Sequence, residues 1–171
     1  MKNRTTAQKV ALMGVLTAAT LILSYIERLI PLNFGVYGIK AGFANIGVLI
    51  ALYSFGAGTA AAVSLVRVVI AGLLFNGVSS MLYSAAGAVF ALLAMLPLSK
   101  SGGQNSRFGT VGVSVAGAIA HIIGQLFVAS LLLGAPVWVY SPLMITSAVA
   151  TGAINGMVSG LVLRYLKNRR T

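Results

Sequence analysis

KAGFANIGVLIALYSFGAGTAAAVSLVRVVIAGLLFNGVSSMLYSAAGAVFALL, running from Lys40 to Leu93, decides the fold. Its only charges are Lys40 and Arg67, and its apolar runs are interrupted at Gly56-Ala57-Gly58 and at Asn76-Gly77. A helix crossing a bilayer needs about 20 mostly apolar residues. Runs of that kind joined by glycine-rich turns read as successive membrane helices. Working outward, the same texture continues on both sides, and the whole chain reads as an all-α, polytopic six-helix transmembrane bundle in a single domain, residues 1–171.

Composition supports that reading and excludes several others. Hydrophobic residues make up 58% of the chain and charged ones only 8%, against roughly 25% charged in a soluble domain. The net charge of +11 does not point to nucleic acid, because the cations gather at segment ends, where anionic headgroups lie. Without cysteine there is neither disulfide nor thiolate site, and one histidine with one carboxylate is too few for zinc. No G-x-x-x-x-G-K-[ST] loop is present, so no nucleotide motor is expected in this chain. The sequence calls for no cofactor and for no catalytic residue.

Helices are expected over 6–30, 41–55, 59–75, 79–98, 109–133 and 143–166. Pro31 stops the first and Pro97 lies near the end of the fourth. The first apolar run continues to Tyr25 and Ile26, past the limit of a signal peptide, and reads as a retained helix. Ser99–Arg107 is the one hydrophilic loop. Six spans would put both termini on one side of the cell membrane. That side carries nine cations (Lys2, Arg4, Lys9, Lys100, Arg107, Arg164, Lys167, Arg169, Arg170) against Arg28 and Lys40 on the other. The positive-inside rule makes the cation-rich side cytoplasmic.

Small residues recur at four-residue spacing on the sixth helix (Ala148, Gly152, Gly156, Gly160) and the fifth (Gly112, Ala116, Ala120, Gly124). Such stripes let helices approach closely in lipid and read here as internal packing. The first helix offers Ala7, Ala11, Gly14 and Ala18, which serve either internal packing or a partner helix.

Function is expected in the few polar residues of the apolar background. Arg67, mid-helix, is costly in a bilayer and marks a site by default. Its plainer readings are capping of carbonyls, snorkelling, or pairing with Glu27, the only acidic side chain. His121 and Gln125 stand one turn apart beside a small-residue stripe, either as packing polar groups or as ligand contacts. Asn155 is interhelical glue or a contact, and Asn45 lies one turn inside the second helix. Glu27, Arg28, Asn33, Tyr37, Lys40, Asn45, Asn76, Ser79, Ser80, Tyr83, Trp138 and Tyr140 gather at the opposite end from the basic termini. Trp138 and Tyr140 have the chemistry of interface anchors. Together these residues describe a pocket with aromatic walls and cationic contacts, suited to a planar or apolar molecule bearing negative charge.

The chain resembles the substrate-binding S-components of energy-coupling factor (ECF) transporters in its six short helices, its cytoplasmic termini and the Gly/aromatic loop PLNFGVYGIK. The run Lys40–Leu93, with Lys40, Gly42, Asn45, Arg67, Ser79, Ser80 and Tyr83, is similar to the bacterial family labelled heptaprenyl diphosphate synthase component I, also called the Gx transporter family. The S-component likeness implies capture of a small organic solute, with a membrane T-component and paired ATPases as partners. It also implies docking through an Ala-x-x-x-Ala motif on the first helix, where Ala7/Ala11 fits. The synthase label implies instead a non-catalytic membrane subunit of polyprenyl diphosphate or quinone biosynthesis. Prenyl elongation itself needs aspartate clusters that hold magnesium, and this chain contains no aspartate.

Overall fold

In a computed structural model, which describes residues 6–29, 42–100 and 109–168, every regular element is helical. The helices are α1 (Thr6–Leu29), α2 (Ala44–Phe55), α3 (Ala57–Ala71), α4 (Gly77–Lys100), α5 (Gly109–Leu133) and α6 (Ser141–Asn168). A π-helical turn, Gly72–Asn76, follows α3, and a 3-10 turn, Ala135–Tyr140, precedes α6.

Among the described residues, four helical stretches are long and apolar enough to cross a membrane: Ala57–Leu74, Ser80–Ser99, Gly109–Leu132 and Pro136–Asn168. The apolar stretches of α1 and α2, Val10–Ile26 and Asn45–Phe55, are shorter. Leu65, Leu73, Leu93, Leu131 and Leu161 are each at least 64% exposed. Apolar exposure on that scale suits a lipid solvent and would make a soluble monomer aggregate. The core between the helices is built largely from small and β-branched residues, with Ala51, Ala60, Val63 and Val113 at 1% exposure or less.

Glycine sets the junctions. At Gly56, φ is +92°, a conformation that a side chain would strain. This one residue ends α2 and begins α3, with its N–H donating to Leu52 O at 3.0 Å. The break expected over Gly56-Ala57-Gly58 is therefore narrower, since Ala57 and Gly58 already belong to α3. The expected start of the second helix, at 41, gives way to Ala44, because Gly42 has φ +71° and stands outside the helix. The third helix begins at Ala57 rather than 59 and passes into the π-turn at its far end. The fourth helix, expected over 79–98, spans Gly77–Lys100 with Pro97 inside it.

The small-residue stripe of α6 packs on α5, as its spacing predicts. A Cβ built on Gly156 would lie 2.6 Å from Val111 Cα, and one on Gly152 would lie 2.9 Å from Val115 Cα. On α5, Gly124 serves a different neighbour: its Cβ would meet Ala86 O of α4 at 2.7 Å. Thus α5 is clamped from both sides. On α1, the buried or half-buried Leu16, Thr20 and Leu23 face the bundle. At about 100° per residue, Ala7, Ala11, Gly14 and Ala18 fall on the opposite side, and all four are exposed.

Candidate functional site

The second helix sets the geometry of the interior. It has 12 residues against 28 in α6, so it spans about 18 Å beside a helix of about 42 Å. Asn155 Nδ2 donates to Gly42 O at 2.9 Å, and Ser159 Oγ donates weakly to Ile46 O at 3.5 Å. Ile46, Ile50 and Leu163 then share one apolar cluster. Both hydrogen bonds join residues 113 apart in sequence. A constant offset means that α2 runs parallel to α6, alongside its second half. The N-terminus of α2 therefore opens opposite the middle of α6, inside the bundle.

Around that opening lies a fully buried polar group. Asn155 is 1% exposed, and its Oδ1 has no hydrogen-bond partner. Gly42 O also accepts from Asn45 N at 2.9 Å, which ties the entry of α2 to the same carbonyl as Asn155. A Cβ built on Gly42 would lie 3.5 Å from Asn45 Nδ2 and 3.7 Å from Asn155 Nδ2, so the two carboxamides converge on this glycine. The helix begins without a side-chain cap. The N–H groups of Asn45 and Ile46 are bonded to Gly42 O and Phe43 O, which leaves those of Phe43 and Ala44 to meet an acceptor.

A second polar seam runs between α4 and α5. The Gln125 amide nitrogen lies 3.2 Å from His121 Nε2, with donor and acceptor roles set by the imidazole tautomer. The His121 ring rests on Gly87, where a Cβ would approach Cε1 to 2.7 Å. Ser80 and Tyr83, both half-buried, precede Gly87 on α4 by about two turns and one. Because α4 and α5 pack antiparallel, Tyr83 and Gln125 both lie one turn from the His121–Gly87 contact, towards the same end of the seam.

Arg67 is half-buried in α3, eleven residues into the 20 that α3 and its π-turn contribute. Trp138 and Tyr140 are exposed on the 3-10 turn before α6. Lys40, Asn33 and Tyr37 lie outside the described residues, as do the side chains of Glu27, Arg28, Asn76 and Ser79. The structure thus joins Asn45 to Asn155 and His121 to Gln125, and gives Arg67 its own helix. Among the described residues no group of three or more His, Cys, Asp or Glu could hold a metal.

Ser159 and the carbonyl of Gly42 were not singled out by sequence. Ser159 lies one turn beyond Asn155 on α6, a polar pair interleaved with the glycine stripe, which is a usable signal. Nothing local to Gly42 announces a shared acceptor. Along α1 and α3 lie two adjoining apolar grooves of about 410 and 460 Å³, which meet at Leu21 and Ile70. Gly14 and Ala18 line the first of them.

A family model described as heptaprenyl diphosphate synthase component I matches residues 16–162. No curated protein and no solved structure matches the chain.

Proposed function

The chain belongs to the heptaprenyl diphosphate synthase component I family, and from that premise we propose a membrane protein that binds a small organic solute and mediates its uptake. The solute would be anionic or amphipathic, and the chain itself would carry out no chemistry. The observation that supports this reading is the uncapped start of α2 beside the buried Asn155, an arrangement of polar groups enclosed in an apolar bundle. Half-helix termini buried in a membrane bundle are suited to holding polar solutes. Arg67, Lys40, Asn45, Ser80, Tyr83, His121, Gln125, Trp138, Tyr140 and Asn155 are the proposed contacts. Both termini would face the cytoplasm.

Energy would come from partners of the ECF type, a membrane T-component with ATPases, docking on the exposed Ala7, Ala11, Gly14 and Ala18 face of α1. Close approach of two helices needs small residues, and a Cβ built on Gly14 would meet nothing within 4 Å. The test is purification of the tagged chain from its native membrane. Co-purification with a T-component and ATPases supports uptake driven by an ECF module.

A second reading rests on the family's description: a membrane subunit that accompanies a polyprenyl diphosphate synthase. The chain has no aspartate with which to hold magnesium and diphosphate, so the partner would supply the catalysis. Stoichiometric recovery of a prenyl synthase in the same purification, with no transport subunits, favours this reading over the first.

A further inference from the structure

The opening of α2 makes two chemical demands at once. The start of a helix carries about half a positive charge and unmatched N–H donors, so it favours an anion. Here α2 is 12 residues long and has no side-chain cap. Beside it, Asn155 is 1% exposed and its Nδ2 is engaged by Gly42 O, while its Oδ1 has no partner. A buried acceptor left without a donor costs about 1–3 kcal/mol. A simple anion such as acetate or sulfate meets the first demand and sets a lone pair against Oδ1. An ammonium meets the second and is repelled by the helix end. A metal cation is disfavoured as well, in a chain with one acidic residue.

One kind of group answers both. We propose that the start of α2 and Asn155 form the head-group site for an anion that carries its own hydroxyl, such as a hydrogen phosphate monoester or an α-hydroxy carboxylate. The negative oxygens face the N–H groups at Phe43 and Ala44, and the hydroxyl donates to Asn155 Oδ1. This inference rests on the solute-binding reading above and specifies the solute's polar end.

The test uses the full-length protein in detergent at pH 6 and constant ionic strength. Its thermal unfolding midpoint is followed while inorganic phosphate is titrated against sulfate, and glycolate against acetate. In each pair the hydroxyl-bearing anion should bind at least about tenfold more tightly, the worth of one charge-assisted hydrogen bond. Asn45→Asp places a carboxylate in the first turn of α2, where it supports the helix but repels an anion. That variant should keep its ligand-free midpoint and lose the phosphate response. Equal binding within each pair, or no saturable shift with any of the four, overturns the site. So does a folded Asn45→Asp protein that still responds to phosphate.

Glycerol 3-phosphate and short-chain phosphatidic acid separate a soluble solute from a lipid headgroup. A response to either supports the site, and a response to the lipid alone moves the function towards lipid handling. A neutral or cationic solute bound in cells would leave uptake standing and remove this inference. Anion binding in a protein that supports no uptake would do the reverse.

Discussion

Replacing Gly156 and Gly14 each by alanine should move stability in opposite directions. At Gly156 the new Cβ would stand 2.6 Å from Val111 Cα, 3.0 Å from Ser114 Cβ and 3.1 Å from Thr110 O. Carbon atoms pack best at about 3.5–4.0 Å, so α5 and α6 must part by about 1 Å. The first of these obstacles is backbone, which no rotamer change can move aside. Overpacking of this kind costs about 1–3 kcal/mol, and alanine returns about 0.8–1 kcal/mol of helix propensity. The net is a loss of up to about 2 kcal/mol, with the larger Gly156→Leu preventing folding. At Gly14 a Cβ meets nothing within 4 Å, so only the propensity gain remains, up to about 1 kcal/mol. Unfolding followed by circular dichroism in mixed detergent micelles, with both variants in one series, reads the difference. If Gly156→Ala raises stability as Gly14→Ala should, α5 and α6 do not pack as described.

Three further outcomes are expected. Cysteines introduced at Val139, on the 3-10 turn before α6, and at Asn168, the last residue of α6, both exposed, should label from opposite faces of the membrane; labelling of both from outside contradicts the proposed topology. Arg67→Ala should weaken solute binding by about tenfold or more, and Arg67→Lys should restore only part of it, since an ammonium lacks the planar fork of guanidinium; unchanged binding by a well-expressed Arg67→Ala protein removes Arg67 from the site. Ala11→Leu should abolish uptake in cells while isolated protein still binds solute, because the exposed α1 face is bulked without disturbing the core; normal transport by that variant argues against docking through α1.

The helical character of the chain and most of its element boundaries could be read from the sequence, because apolar runs and glycine breaks report local backbone preferences. The α6 stripe was legible for the same reason: glycines four apart leave one smooth line on a helix. Positions set by pairing between distant segments were hidden. Asn45 and Asn155 each stood out as polar residues in apolar runs, yet nothing in the spacing says that Gly42 O joins them across 113 residues. The partner of Gly124 was equally opaque, since a small residue permits close approach without naming the helix that approaches.

Native mass spectrometry of the full-length protein, released from detergent directly after purification, tests solute binding most directly. The unmodified protein should carry a one-to-one adduct of a small organic anion, with a reduced fraction on Arg67→Ala and on Asn45→Asp. A folded protein that carries no small molecule, but arrives in a stoichiometric complex with a prenyl synthase, would contradict that reading.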